Sequence, residues 1–229
     1  MTHNIEMLET VAEGLDYLLA EVVFLGGATV ALYATDPAAP QARPTDDVDL
    51  VFEITSRLEY SRLEEKLRTL RFTHDTSAGA PICRWIFRGV RVDAMPTDPQ
   101  ILGFANQWYR DALMHSTSFF LPSGRRIKIF SPPYFLATKL EAFRARGIND
   151  IRLSPDFEDV TFLLDNRPEL PDELDSSDPI AKQFIQTALR DLLQDPLLRE
   201  AIEAALGFGV AGARVQRMLS IMARLANPE

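Results

Sequence analysis

Phe24-Leu-Gly-Gly-Ala-Thr-Val-Ala-Leu32 and, after a Pro- and Ala-rich spacer, Arg43-Pro-Thr-Asp-Asp-Val-Asp-Leu50 set the reading of this 229-residue chain. Val22 to Leu25 is a short apolar run ending at Gly26 and Gly27, the pattern of a buried strand entering a tight turn. Val48 to Ile54 alternates polar and apolar side chains and is rich in β-branched types, which predicts a second strand. Residues two apart in a strand point to the same side, so Asp47 and Asp49 present both carboxylates to one site. Paired negative charges repel unless a divalent cation neutralises them, and hard oxygen donors of this kind suit Mg2+ or Mn2+. Asp46 adds an acid beside the pair, and strand alternation favours Asp47 with Asp49.

A third acid, Asp93, lies in Val90-Arg-Val-Asp-Ala-Met95, a second apolar strand whose neighbours give a charge no obvious company. If that strand lies beside the first, Asp47, Asp49 and Asp93 converge. Such a triad can hold metal ions that lower the pKa of an attacking oxygen and stabilise a departing pyrophosphate, the protein's task being positioning and charge neutralisation. Gly26 and Gly27 let backbone N–H groups approach phosphate oxygens, and a following helix would add its positive N-terminal end. Thr29, Arg43 and Thr45 are placed to add hydrogen bonds to a triphosphate.

Outward from this core, the pattern predicts an amphipathic helix over Ile5 to Ala20, a helix over Ala28 to Ala34, and another over Ser56 to Leu70 with Ser56 as N-cap and Glu59 three residues on. Ile82 to Phe87 and Val90 to Met95 read as a hairpin around Arg88 and Gly89, Phe104 to Met114 as a helix, and Phe119 to Leu121 with Arg126 to Phe130 as a second hairpin. From Pro132 onward only helices are predicted: Tyr134 to Arg146, Phe157 to Leu164, Pro179 to Leu193, Leu197 to Leu206 and Ala213 to Leu225. The acidic stretch Asn166 to Asp178 reads as a loop with one short helical turn. The expected fold is α/β (α+β), a small mixed sheet flanked by helices over 1–131 followed by a helical domain over 132–229.

Composition sets outer limits. Hydrophobic residues make up 46% and charged residues 25%, ordinary for a chain that folds. No run reaches the roughly 18 apolar residues of a membrane span, and the N-terminal segment lacks a leader pattern, so a cytoplasmic location and no membrane partner are expected. The single cysteine, Cys83, and three histidines have no zinc spacing. A net charge of −9 excludes a broad basic surface for nucleic acid and confines phosphate contacts to local clusters: Arg84, Arg88 and Arg91; Arg125, Arg126 and Lys128; and Lys139 through Arg146.

Gly-Gly-Ala followed by Arg-x-Thr-x-Asp-hydrophobic-Asp resembles the DNA polymerase β-like nucleotidyltransferase superfamily, and within it the AbiEii/MenT type of toxin-antitoxin nucleotidyltransferases. The resemblance implies a phosphate-cradling turn at Gly26 and Gly27, a metal pair at Asp47 and Asp49, and a third acid, Asp93, that activates the incoming hydroxyl. It also implies a site lysine, Lys139 in Phe135-Leu-Ala-Thr-Lys-Leu-Glu-Ala142, contacting a nucleotide phosphate, and a late acid in Asp156-Phe-Glu-Asp-Val160, Asp159 with Asp156 as the alternative. Pro155 replaces the basic residue usual before that motif. The implied substrate is an NTP, the implied cofactor Mg2+ or Mn2+, the acceptor hydroxyl that of a tRNA, a protein or a small molecule, and the implied partner an antitoxin protein. An NTP-binding or partner-docking module without turnover is the competing expectation, and a small-molecule adenylyltransferase of the antibiotic-modifying kind is another.

Overall fold

The computed structural model describes residues 2–146, 150–207 and 212–227. Helix α1 (His3–Leu15) forms because Met7, Leu8, Val11, Ala12 and Leu15 fall on one face at helical spacing, and all are buried. It stops short of Ala20: Asp16 takes a positive φ of 46°, and Asp16–Ala20 tightens into a 3-10 turn. Strand β1 (Val22–Leu25) follows, buried along its whole length.

The helix expected over Ala28 to Ala34 is a 3-10 stretch, Gly27–Tyr33. Thr29 explains the tighter winding. Both its N–H and its hydroxyl donate to the Gly26 carbonyl, at 3.2 and 3.0 Å, an i to i−3 closure.

Strand β2 (Asp47–Phe52) leads to helix α2 (Arg57–Thr69), which opens on the capping box anticipated at Ser56 and Glu59. The two-residue strand β3 (Thr73–His74), too short to leave a pattern, precedes β4 (Arg84–Phe87) and β5 (Val90–Pro96). These two join through Arg88 and Gly89, both at positive φ, the geometry of a two-residue hairpin turn. Phe104 to Met114 is not one helix. A short helix α3 (Pro99–Leu102) ends at Gly103, Asn106 turns the chain by accepting the Trp108 N–H, and α4 (Tyr109–Met114) follows. The second hairpin is β6 (Ser116–Phe120) with β7 (Arg126–Phe130), its first arm starting before the expected Phe119 and stopping short of Leu121.

These seven strands form one mixed sheet in the order β3-β4-β5-β2-β1-β7-β6, with β2 antiparallel to β1 and parallel to β5. Alternation gives the sheet two faces of different character. Phe24, Leu50, Val92, Trp85 and Ile129 share one, all buried. Helix α1 covers it closely enough that a Cβ on Gly14 would collide with the Phe87 ring. Each such burial contributes about 1.5–3 kcal/mol before the entropy of ordering is counted. The other face carries Asp47, Asp49, Asp93 and Arg84.

The chain divides into two compact units, residues 1–32 with 43–131, and residues 33–42 with 132–229. The second unit is helical: α5 (Pro132–Arg146), α6 (Pro155–Asn166), α7 (Leu170–Asp175), α8 (Pro179–Leu192), α9 (Leu198–Leu206) and α10 (Gly212–Ala226). Prolines in the first turns of α6, α7 and α8 cost nothing there, since those N–H groups have no helical partner. Segment 33–42 joins this unit: the Tyr33 ring lies 4.4 Å from Phe135, the Thr35 and Asp36 N–H groups donate to the Asn166 carbonyl, and Arg167 donates to the Tyr33 carbonyl at 2.8 Å. Buried Asp165 on α6 is tied to α10 through Arg214 and Arg217. No helix among the described residues is long and apolar enough to cross a membrane.

Candidate functional site

The first unit brings Asp47, Asp49, Asp93, Gly26, Gly27, Arg43 and Thr45 to one end of the sheet. Register does most of this. Asp49 is paired with Asp93 across the parallel β2–β5 ladder and with Leu25 on β1, while Arg84 is paired with Asp93 across β4–β5. Paired residues share a face, so Arg84, Asp93, Asp49 and Leu25 form a row across four strands, with Asp47 two residues back on the same side.

Gly26 lets β1 end against this row. Its φ is 78°, and a Cβ there would fall 1.8 Å from Asp49 Oδ2, so the turn accepts only a residue without a side chain. Beside it, a Cβ on Gly27 would meet Arg43 Nη2 at 2.9 Å and Thr45 Oγ1 at 3.4 Å, which places both predicted phosphate-contacting side chains over the diglycine turn. Thr29 is different. It is fully buried with its hydroxyl bonded to Gly26, so it shapes the turn from beneath.

Like charges side by side on neighbouring strands are destabilising unless compensated. Here the compensation for two of the acids is an arginine. Arg84 grips Asp93 with two parallel bonds, Nε to Oδ1 at 2.8 Å and Nη2 to Oδ2 at 2.7 Å, and the same Nη2 reaches Asp47 Oδ2 at 3.1 Å. Thr45 donates to the other Asp47 oxygen at 3.1 Å. The Asp93 hydrogen bonds, aided by the charges of Asp93 and Asp47, hold the guanidinium pKa above its ordinary value. Asp93 is 8% exposed, so this compensation is made in partial shelter from water. Among the described residues, no three His, Cys, Asp or Glu side chains stand together as a metal-ligand cluster. The charge between Asp47 and Asp93 is the guanidinium.

The donor set still suits a hard divalent ion in its chemistry, oxygen ligands from adjacent strands with no thiol or imidazole among them. Asp47, Asp49 and Asp93 would hold it.

Two further residues position the site in roles the sequence did not suggest. Arg84 stood there only as one of three basic residues; of the others, Arg88 pairs with Glu13 at 2.9 Å and Arg91 lies 3.9 Å from Asp46. Asn4, 3% exposed on α1, fixes the loop before β2 with both ends of its amide: Nδ2 donates to the Arg43 carbonyl at 2.9 Å, and Oδ1 accepts from the Thr45 N–H at 3.1 Å. Its signal was available, since Asn4 interrupts the apolar face that Met7, Leu8 and Val11 continue.

Lys139 and Asp159 belong to the second unit, where α5 and α6 bring them together. Lys139 Nζ lies 2.7 Å from Asp159 and 3.3 Å from Asp156, and Arg146 takes the other Asp156 oxygen at 2.7 Å. Both acids are 1% exposed and Lys139 8%. Buried ions of this kind persist only when mutually paired, so Asp156 and Asp159 both serve the lysine. Compared with known proteins, the chain matches no family model and no curated sequence.

Proposed function

We propose that this chain is a metal-dependent nucleotidyltransferase of the DNA polymerase β-like kind, moving a nucleoside monophosphate from an NTP to an acceptor hydroxyl with release of pyrophosphate. The observation that carries the reading is the β2–β5 register, which sets Asp49 beside Asp93 with Asp47 on the same face and Gly26 against Asp49.

In this reading Asp47, Asp49 and Asp93 would hold Mg2+ or Mn2+, and Asp93 would also take the proton of the acceptor hydroxyl. When bound, the ion supplies charge neutralisation for the phosphates and the leaving pyrophosphate. Gly26 and Gly27 leave room for phosphate oxygens to approach the backbone, and Arg43 and Thr45 orient them. Asn4 holds the loop carrying those two residues. A phosphate contact for Lys139 follows from the resemblance alone; its ammonium is held by Asp156 and Asp159.

Among acceptors, a tRNA end, as in the toxin-antitoxin type with its antitoxin partner, follows from the sequence resemblance. The net charge of −9 fits a small-molecule acceptor better than a long polyanion. A cytoplasmic location would suit either. A second reading has one observation in its favour: Arg84 already neutralises Asp47 and Asp93, as an NTP-binding or partner-docking module without turnover would require.

The test incubates the protein with each labelled NTP, Mg2+ or Mn2+, total RNA, cell protein and small hydroxyl acceptors, beside an Asp47→Ala, Asp49→Ala control. We expect one acceptor class to be labelled, with pyrophosphate released, and the label to vanish in the control. Labelling that survives in the control removes these carboxylates from the chemistry; nucleotide binding without pyrophosphate favours the docking module.

A further inference from the structure

We propose that Arg84 is a built-in counter-ion that competes with the divalent cation for Asp47 and Asp93, and so sets how much ion the site needs before it fills. The inference rests on the metal-dependent reading above. Every oxygen of the two acids accepts a hydrogen bond. Both Asp93 oxygens accept from Arg84, one Asp47 oxygen accepts from the same nitrogen, and the other accepts from Thr45. An ion bound by these carboxylates must share or displace those bonds. The bond most exposed to displacement is the longer reach to Asp47, at 3.1 Å against 2.7 and 2.8 Å to Asp93, and Asp47 is also the more exposed acid, at 29% of its side chain against 11%.

Position argues for a purpose-built exchange over an incidental surface pair. Arg84 arrives by strand register, from the residue directly opposite Asp93, so its guanidinium is aimed along the acid row by the backbone. Its planar fork satisfies carboxylates with directed hydrogen bonds but offers no empty orbital to a phosphate oxygen, so it can replace the ion's charge and none of its Lewis acidity. The arrangement offsets the repulsion between the two acids. It makes occupancy a competition.

The experiment measures Mn2+ and Mg2+ binding directly, by calorimetry and by melting temperature, in the full chain and in its Arg84→Gln and Arg84→Lys variants. Removing the guanidinium should tighten the apparent Kd on the order of tenfold or more, the equivalent of one charge-assisted hydrogen bond. It should also lower the metal-free melting temperature and enlarge the rise that metal produces. Arg84→Lys, which keeps the charge and loses the fork, should fall between the two and serves as the variant of record if Arg84→Gln does not fold. In the unaltered protein, the guanidinium Nη–H signals of Arg84, whose Nη2 reaches Asp47, should exchange faster with solvent at metal saturation than without metal. Equal or weaker metal affinity in both variants, or Arg84 Nη–H exchange unchanged at saturation, overturns the counter-ion role while leaving the metal reading intact. Absence of metal binding in all three proteins overturns the metal reading, and the inference with it.

Discussion

Asp49 is held in place by what its neighbours lack. Gly26 has no side chain, and the space a methyl would need is filled by the Asp49 carboxylate, 1.8 Å from the ideal Cβ position. Gly26→Ala therefore meets two obstacles, a collision with a functional group and a φ of 78° that an L side chain resists at a cost on the order of 1–3 kcal/mol. We expect that loss of stability in urea denaturation, together with a fall in transfer larger than that of Gly27→Ala, whose clash is with the movable end of Arg43. Cys83 makes a different statement at the same scale. Burial first, and then the charge of Asp93, push its thiol from 9.0 up to about 12. A raised folded pKa means the folded chain keeps a proton the unfolded chain loses, so this contribution is complete below pH 9 and drains away as pH rises from about 9 toward 12. Stability measured between pH 9 and 10 should fall less steeply in Cys83→Ala, and the native thiol should resist alkylation at pH 8 until the protein is unfolded. An identical slope in the variant would place the alkaline loss elsewhere.

Among the elements, the ones with a local chemical instruction were the ones that could be read. Ser56 and Glu59 wrote the start of α2, and the structure forms both halves of the capping box, with Ser56 Oγ accepting the Glu59 N–H at 3.2 Å. Ser56→Ala should cost about 1 kcal/mol, with no effect on the acid row. Where the instruction came from a partner, the pattern misled. Gly27–Tyr33 has helical spacing but winds as 3-10, since Thr29 doubles its bonds to Gly26. Helix α1 shows that an element can serve a site it does not contain. Asn4→Ala removes the amide that bonds the Arg43 carbonyl and the Thr45 N–H, which should cost about 1–3 kcal/mol in the partly buried loop. Because that loop carries two phosphate-contacting candidates, KM for the nucleotide should rise more than kcat falls. A stable variant with unchanged kinetics would make Asn4 purely a folding residue.

At the scale of the whole molecule, ligand linkage gives the cleanest check. An ion that binds only the folded first unit should stabilise it by about 1.4 kcal/mol at tenfold its Kd, and the Asp47→Ala, Asp49→Ala protein should not respond. Hydrogen exchange should confine the added protection to the first unit, with α8 and α10 unchanged. The sequence by itself determined the α+β class, the hairpin at Arg88 and Gly89, the capping of α2, and the common face of Asp47 and Asp49, because all of these follow from spacing along one strand or one helix. Strand register, which seats Asp93 beside Asp49 and Arg84 beside Asp93, was beyond it, as was the passage of 33–42 into the helical unit. Those were decided by tertiary structure alone: which strand lies next to which, and at what offset, depends on burying the Phe24, Leu50, Val92 and Trp85 face under α1, a cooperative energy that no local stretch of chain contains.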